Sequence, residues 1–322
     1  MAVFTPVSEG SLHTLLGRFD LGELLAFEGI ASGIENTNYF VDTTAGRYVL
    51  TLFEKLSAQQ LPFYLELMRH LADRGIACPK PMADRSGALL HKCESKPASI
   101  VTRLKGQWQP KPTAAHCRLL GAALASSHLA VADYAGTQPN LRGLSWWQQT
   151  VPQILPFVSA NQAALLSDEL AAQVAFSETA AARQLPSGAV HADVFRDNVL
   201  FEETPLGPVL GGFIDFYFAG VDRFVFDLAV AANDWCVEHN EADTGIFLSS
   251  HLTTLLAGYD SIRPRSENEK AAWPMMLRAA AYRFWVSRLY DWHLPRNAAM
   301  LTPKDPTHFE RLLRTRRATD CH

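Results

Sequence analysis

The segment VHADVFRDNVLF, residues 190–201, places five polar side chains between apolar residues that predict buried strands. These five are His191, Asp193, Arg196, Asp197 and Asn198. Carboxylate and amide oxygens are hard ligands that suit Mg²⁺ bound together with phosphate groups. A nearby carboxylate that holds no metal can accept the proton of an attacking hydroxyl. The segment therefore indicates phosphoryl transfer, which needs mainly positioning and neutralisation of charge.

The spacing of these residues is more specific than their types. His191, Asp193 and Asn198 follow the order His, any residue, Asp, four residues, Asn, which protein kinases use in their catalytic loop. Asp215 follows in the apolar segment GGFIDF, where the pattern requires a second metal-binding residue. The alternative is that each Asp or Asn is an ordinary turn or cap residue, but the full set with this spacing argues against it.

A predicted hairpin brings Asp215 to this loop. Residues 198–201 and 209–216 predict strands, and residues 202–208 between them include two prolines and a glycine. Antiparallel pairing returns the end of the second strand to the start of the first. We therefore expect Asp193, Asn198 and Asp215 to converge on one small volume.

Two other chemistries have weaker support. A metal hydrolase needs further His or carboxylate ligands at defined spacing, and His239 and His251 have no partner motif. A serine hydrolase needs a Gly-x-Ser-x-Gly turn, and GLSWW at 143–147 lacks the second glycine.

Composition restricts the class of protein. The 322 residues carry a net charge of −4 and are 48% hydrophobic, which argues against nucleic acid or an anionic membrane as a partner. The five cysteines are scattered and form no Cys-x-x-Cys pair, as in a cytoplasmic protein with reduced thiols. We see no signal peptide and no transmembrane segment, and both a monomer and a homodimer are compatible with the sequence.

The chain changes character near residues 106–113, GQWQPKPT. Before it, residues 26–53 predict strands with a turn at 44–46, and residues 59–74 predict one prominent helix. After it, Ala- and Leu-rich segments predict helices at 113–130, 165–185, 226–238, 245–258 and 268–293. The predicted domains are a β-rich lobe, residues 1–104, and a larger, mainly helical lobe, residues 105–322.

These residues carry a family resemblance. HADVFRDNVLF, IDF at 214–216 and FDLA at 226–229 resemble the aminoglycoside phosphotransferase/choline kinase family of the protein-kinase-like fold. Residues 28–54, EGIASGIENTNYFVDTTAGRYVLTLFE, together with that loop resemble the homoserine kinases of the family, over nearly the whole chain. The resemblance implies an α+β fold with a small antiparallel sheet and one main helix in a nucleotide-binding N-terminal lobe, and a mainly helical catalytic and substrate-binding lobe.

The resemblance also implies an activity, namely ATP- and Mg²⁺-dependent phosphorylation of the hydroxyl of L-homoserine for threonine synthesis. By motif match, Asp193 would be the base, and Asn198 and Asp215 would hold Mg²⁺. His191 and Asp227 would support the catalytic loop.

Nucleotide binding is implied for the N-terminal lobe. The backbone near residues 100–104 would contact adenine, and residues 33–38 would lie over the phosphates. The implied nucleotide-binding residues are Gly33, Asn36, Asn38, Thr51, Val101 and Arg103. Thr51 departs from the family, because kinases of this fold usually have Lys or Arg at that position to bind phosphates. Lys55, Lys105 or the Mg²⁺ itself could supply the missing charge.

Homoserine is a zwitterion and needs both an anionic and a cationic partner. Arg196 and Asp197 in the loop and Arg283 and Arg288 near the end of the chain are the candidate substrate-binding residues, although the last two also suit an ordinary amphipathic helix.

Two alternatives remain open from the sequence. One is a related kinase for choline, an aminoglycoside or another small alcohol, because aromatic residues between 282 and 292 could surround a cation. The other is an inactive nucleotide-binding module, which the loss of a cation at Thr51 suggests.

Overall fold

The computed structural model describes residues 4–31, 36–239, 244–294 and 304–319. The chain forms two compact units, Met1–Gly106 with Gly211–Ile214, and Gln107–Leu210 with Asp215–His322. The N-terminal segment of the first unit ends at residue 106, whereas the predicted N-terminal lobe ends at residue 104. The roles assigned to the two lobes stay predictions.

The first unit contains a five-stranded antiparallel sheet, with the strands in the order β1-β2-β3-β5-β4. The strands are β1 Leu24–Gly29, β2 Thr37–Thr43, β3 Gly46–Leu52, β4 His91–Cys93 and β5 Lys96–Thr102. Along β2, buried residues alternate with partly exposed ones, as expected for a strand with one face on the core. The strands predicted between residues 26 and 53 are confirmed.

Two helices cover this unit, α1 Glu9–Leu16 and α2 Leu61–Asp73. The predicted helix 59–74 is α2, and Gly75, at φ +78°, follows its C-terminal end in the left-handed conformation that glycine favours. The sequence interpretation missed α1, whose Leu12, Leu15 and Leu16 pack into the same core as the sheet. The small antiparallel sheet with one main helix is as expected.

The second unit is mainly helical. Its helices are α3 Ala114–Ala130, α4 Leu144–Ile154, α5 Ala160–Ser177, α6 Ala180–Arg183, α7 Phe224–Trp235, α8 Ser249–Ile262, α9 Glu267–His293 and α10 Thr307–Thr319. Its strands are β6 Gln107–Trp108, β7 Ser187–Val190, β8 Val199–Thr204, β10 Gly220–Arg223 and the first part of β9 Gly207–Phe213, which from residue 211 on belongs to the first unit. Strands β7 and β10 pair antiparallel, and the other three form a sheet in the order β6-β8-β9. Among the described residues, no helix has both the length and the apolar character that a bilayer crossing requires.

Several predicted helix limits were wrong. The helix predicted at 165–185 begins at residue 160, because the Ser159 hydroxyl accepts the Gln162 N–H and caps it, and it breaks before α6. The helix predicted at 245–258 begins only at residue 249. The helices α4 and α10 were not predicted at all. The predicted segments 113–130, 226–238 and 268–293 correspond to α3, α7 and α9.

Helices α3 and α8 approach each other closely through two glycines. A Cβ at Gly121 would lie 2.1 Å from the Leu255 carbonyl oxygen, and a Cβ at Gly258 would lie 2.1 Å from the Arg118 carbonyl oxygen. No non-bonded carbon approaches an oxygen so closely, so the two backbones touch only because both residues lack a side chain. This contact positions Tyr259, the residue after Gly258.

We predict that Gly121→Ala destabilises the protein although alanine favours helix. The added methyl would force the two helices apart, at a cost of about 1–3 kcal/mol in the free energy of unfolding. Chemical denaturation measures it. Gly10→Ala is the control, because Gly10 is an exposed residue of α1 and nothing lies within 4 Å of the added carbon. This substitution should be neutral or should stabilise the protein by about 0.5–1 kcal/mol. Equal stability of the two variants would contradict the close contact.

Candidate active site

The loop that carries the predicted catalytic residues begins at the end of β7. It passes through His191–Phe195 and a short 3-10 helix, Arg196–Asn198, and then enters β8. Two backbone hydrogen bonds, Phe195 N to Asp193 O at 2.8 Å and Asn198 N to Phe195 O at 3.0 Å, fold the loop tightly. The turn places the side chains of Asp193 and Asn198 next to each other.

Asp193 and Asn198 are in direct contact. The Asn198 amide nitrogen donates to the Asp193 carbonyl oxygen at 2.9 Å and to its carboxylate Oδ2 at 3.0 Å. Both side chains are buried. Because the amide nitrogen faces Asp193, the amide oxygen faces the opposite way, where it can bind a cation.

Arg283 on α9 approaches the other oxygen of Asp193. Its Nη1 lies 3.8 Å from Asp193 Oδ1, and its guanidinium stacks on Phe284 and lies near Phe218. Burial raises the pKa of the Asp193 carboxyl, and the positive charge of Arg283 partly offsets this effect. Arg283 is itself buried, so the pair forms a charged group within the fold.

Asp215 lies at the open end of the β8–β9 hairpin. The second strand was predicted over residues 209–216, whereas β9 begins and ends earlier, at residues 207 and 213. The connection from Thr204 to Gly207 is short, with the Thr204 hydroxyl donating to the Gly207 carbonyl oxygen, so the two strands are antiparallel. Asn198 directly precedes β8 and Asp215 follows β9 at the same end.

The backbone around Asp215 is unusual. Asp215 has φ +62° and ψ +61°, in the left-handed region that costs a non-glycine residue about 1 kcal/mol or more. The next residue, Phe216, packs on the His191 ring with centroids 4.5 Å apart. The contact joins the segment of Asp215 to the catalytic loop. The convergence of Asp193, Asn198 and Asp215 on one volume stays a prediction.

Asp227, at the start of α7, is bonded to the catalytic-loop backbone. Its carboxylate accepts the N–H of His191 at 3.1 Å and of Ala192 at 2.8 Å. Ala192 has φ +62°, which alanine rarely adopts, so these bonds fix a strained residue immediately before Asp193. These bonds join Asp227 to the loop, and its supporting role stays a prediction. The His191 ring of this loop packs against Phe216, the residue after Asp215.

The predicted substrate-binding residues differ in their surroundings. Arg196 donates to Asp234 Oδ2 from its Nε at 3.1 Å and from its backbone N–H at 2.8 Å, and it also reaches the Pro110 carbonyl oxygen. These contacts fasten the loop to α7. Asp197 is exposed, with Lys304 Nζ 3.7 Å away. Arg288 donates to the Asp305 carbonyl oxygen and stacks on Phe309, and burial lowers its pKa.

Of the predicted nucleotide-binding residues, Asn38, Thr51 and Val101 lie in the sheet of the first unit, and Asn36 and Arg103 lie directly beside its strands. Gly33 lies outside the described residues. Asn38 and Thr51 are paired across β2 and β3, and the Thr51 hydroxyl donates to Asn38 Oδ1 at 2.7 Å. Arg103 lies over the Phe40 ring at 3.7 Å. Val101 is buried in β5, and Asn36 is partly exposed just before β2.

Sequence reasoning missed three residues that hold the loop. Asp234 binds Arg196, the Trp235 ring N–H donates to the Val194 carbonyl oxygen at 3.1 Å, and His128 binds Asp227 at 3.1 Å. The sequence did indicate Asp234. The segment FVFDLAVAANDW is mostly apolar, and the carboxylate of Asp234 lies on the same helix face as that of Asp227.

The donor set fits Mg²⁺. Asn198 and Asp215 offer oxygen ligands, and an ion that also binds substrate phosphates needs only one or two protein ligands. Within the described residues, there is no group of three or more His, Cys, Asp or Glu side chains that could form an all-protein metal site.

Comparisons with known proteins agree with this geometry. The model of the phosphotransferase enzyme family matches residues 26–265. Homoserine kinase of Burkholderia ambifaria (strain MC40-6) is 54% identical over 320 residues, covering 98% of this chain and 96% of that protein. Homoserine kinase of Paraburkholderia phymatum (strain DSM 17167) is 53% identical over 322 residues, covering 99% of both. That of Janthinobacterium sp. (strain Marseille) is 51% identical over 316 residues, covering 98% of this chain and 96% of that protein.

The chain belongs to the homoserine kinases of the phosphotransferase enzyme family.

Solved structures show the fold. An amicoumacin kinase in complex with AMP-PNP and Ca²⁺ matches with a TM-score of 0.67 at 16% identity, covering 98% of this chain and 93% of that one. A microcompartment-associated aminopropanol kinase also matches with 0.67 at 16% identity, with 98% of both covered. Choline kinase from Cryptosporidium parvum Iowa II matches with 0.65 at 12% identity, covering 98% and 97%. The predicted α+β kinase-like fold is confirmed.

We predict that Asp227→Asn both destabilises the protein and lowers its activity. An asparagine keeps one acceptor oxygen but directs its NH₂ group at N–H donors of the loop or of His128, and the buried mismatch should cost about 1–3 kcal/mol. Thermal unfolding and turnover measure the two effects. Asp20→Asn is the control, because that carboxylate is 83% exposed and its ion pair with Arg85 should contribute little. Normal turnover of Asp227→Asn would exclude the supporting role.

Proposed function

We propose that the chain transfers the γ-phosphoryl group of ATP to the hydroxyl of L-homoserine and forms O-phospho-L-homoserine and ADP, as a step of threonine synthesis. The main support is the 51–54% identity to homoserine kinases over at least 98% of the chain. The contact between Asp193 and Asn198 supplies the chemical support, because it pairs a candidate base with a candidate metal ligand.

Asp193 is the proposed base. Its carboxylate accepts the hydroxyl proton as the homoserine oxygen attacks the γ-phosphorus. A new oxygen–phosphorus bond forms, the bond to the β,γ-bridging oxygen breaks, and ADP leaves with the electron pair. Asn198 Nδ2 holds Oδ2 of Asp193, and Arg283 lies beside Oδ1, so the carboxylate has a fixed orientation for accepting the proton.

Asn198 and Asp215 are the proposed Mg²⁺ ligands. When bound, the ion would neutralise charge on the phosphates. The protein's part is to orient the oxygens. Asn198 does this through its donor bonds to Asp193, and Asp215 through its left-handed backbone at the hairpin end.

The Thr51–Asn38 pair is the proposed substitute for part of the missing cation. The Thr51 hydroxyl proton is already donated to Asn38 Oδ1, so Thr51 itself has no proton left for a phosphate. The same bond orients the Asn38 amide and leaves its NH₂ group as a neutral donor. Asn36, Asn38, Val101 and Arg103 stay in the proposal as nucleotide-binding residues, with Gly33 outside the described residues.

For the acceptor we propose that Asp197 binds the ammonium and that Arg288 and Arg283 attract the carboxylate of homoserine. Asp197 is the exposed carboxylate of the loop, and the two arginines lie on α9. The contacts of Arg196 with Asp234 and Pro110 favour a bracing role over the substrate contact that its sequence position suggested.

The state of the cysteines bears on the cellular compartment of the protein. The four cysteines of the described residues are buried free thiols, which suits the reducing cytoplasm. We propose a cytoplasmic enzyme that acts as a monomer or a homodimer.

The first test compares acceptors. We expect steady-state release of ADP with L-homoserine, with phosphohomoserine identified by mass spectrometry, and little or no ADP release with choline or kanamycin. D-homoserine is a matched control of identical composition. Turnover of choline without turnover of L-homoserine would refute the substrate, and nucleotide binding without any transfer would indicate an inactive module.

The second test separates the base from the metal ligand. We expect Asp193→Asn to lower kcat by about 10²–10⁴-fold and to leave Mg-ATP affinity largely intact. Asp215→Ala should instead weaken Mg-ATP binding in titration calorimetry, because an ion ligand is lost. Near-normal turnover of Asp193→Asn, or unchanged nucleotide affinity of Asp215→Ala, would refute the respective role.

A further inference from the structure

A row of hydrogen bonds leads from the catalytic loop to the start of α9. His128 Nε2 lies 3.1 Å from Asp227 Oδ2, and His128 Nδ1 lies 2.7 Å from the Tyr259 hydroxyl. Arg263 Nη1 lies 3.0 Å from that hydroxyl and 2.9 Å from Glu269 Oε1. The row joins four helices, α3, α7, α8 and α9, and all of its residues belong to the second unit.

The protons in this row have one consistent arrangement. Arg263 can only donate, so the Tyr259 oxygen accepts from it. The Asp227 carboxylate can only accept, so His128 Nε2 carries a proton and donates. If the imidazole is neutral, Nδ1 is then an acceptor and the Tyr259 hydroxyl donates to it. Every donor in the row then faces an acceptor.

The other possibility, a protonated His128, is unfavourable. Both ring nitrogens would then donate, and the Tyr259 oxygen would face two donors while its own proton lost its acceptor in the row. His128 is buried, and burial lowers its pKa despite the nearby carboxylates of Asp227 and Glu269. Burial raises the pKa of the Tyr259 hydroxyl, so that group keeps the proton it donates.

Packing prevents the ring from rotating out of this arrangement. The Phe224 ring stacks on His128 at 4.6 Å with an interplanar angle of 20°. The glycine contact between α3 and α8 sets the distance from His128 to Tyr259. The Phe224 ring therefore holds His128 by its face, the Asp227 carboxylate sets its tautomer, and the Tyr259 hydroxyl holds the ring at Nδ1.

We propose that Tyr259 is a positioning residue for phosphoryl transfer, because its bond to His128 Nδ1 holds the ring whose Nε2–H donates to Asp227, and Asp227 in turn holds the backbone of His191 and Ala192. This inference rests on the proposed function only where it concerns turnover. Without the tyrosine hydroxyl, Nδ1 becomes a buried acceptor without its donor. The ring then has no partner at Nδ1 and can shift within its plane, which weakens the hydrogen bond that Nε2–H donates to the Asp227 carboxylate.

The first measurement concerns the tautomer and needs no activity. In the wild-type protein labelled with ¹⁵N-histidine, long-range ¹H–¹⁵N correlation at pH 7.5 should show His128 as neutral with its proton on Nε2, and His128→Gln should assign the signal. A proton on Nδ1, or a doubly protonated ring, would overturn the proposal even if the enzyme is fully active.

The second measurement uses Tyr259→Phe. We expect kcat to fall about fivefold or more, with KM for ATP and for homoserine within about twofold of wild type. The ¹⁵N signal of His128 Nδ1 should shift because that nitrogen loses its donor, while the proton stays on Nε2. Tyr282→Phe is the matched control. That hydroxyl is equally buried and donates to the Leu166 carbonyl oxygen at 2.7 Å, away from the row. Its loss should lower the melting temperature without changing kcat or the His128 signal.

The two variants separate positioning from stability. Equal losses of kcat in Tyr259→Phe and Tyr282→Phe, or an unchanged His128 signal in Tyr259→Phe, would overturn the proposal. If Tyr259→Phe does not fold, the proton position on His128 in the wild-type protein still tests the proposal. An inactive wild-type protein with the Nε2-protonated ring would refute the proposed function but not the hydrogen-bond arrangement.

Discussion

The buried carboxylate of Asp227 is the constraint on which the catalytic loop depends. A charge with no exposed surface costs several kcal/mol unless its lone pairs are filled. Here three N–H groups, from His191, Ala192 and His128, fill them. The three donors come from the loop and from α3, so the fold must bring both to the start of α7. The same bonds hold Ala192 in a backbone conformation it would not otherwise keep.

Helix α7 carries this constraint to the other end of the loop. Every residue of α7 is buried, so each polar side chain on it needs a partner. Asp234, two turns after Asp227, holds Arg196 of the loop, and Asn233 donates to the Leu277 carbonyl oxygen of α9. One apolar helix therefore fixes the loop at both ends and ties it to the helix that carries Arg283. Asp193 and Asn198 keep their geometry because neighbouring residues on both sides are anchored.

The sequence predicted what depends on neighbours along the chain. The spacing of His191, Asp193 and Asn198 within one tight loop predicted the observed contact, and the apolar periodicity predicted α2. It could not reveal the row from His128 to Glu269, because His128 is 99 residues from Asp227 and 131 residues from Tyr259 in the chain. The missed α10 has the same explanation: its Leu312 and Leu313 are buried by distant segments, whereas its own sequence, THFERLLRTRRAT, is strongly polar.

Thr51 stands where kinases of this fold usually have Lys or Arg, and the bracing of the loop bears on what that difference means. Thr51 belongs to the sheet of the first unit, whereas the residues that brace Asp193 and Asn198 all belong to the second unit and make no use of Thr51. A neutral residue at that strand position therefore does not disturb the proposed base or metal ligand. Burying Asp193 and Asp227 has a cost in stability, which a module that only bound nucleotide would have no chemical reason to bear. The intact bracing of the loop thus argues for an active enzyme that neutralises the phosphates by other means than a strand lysine.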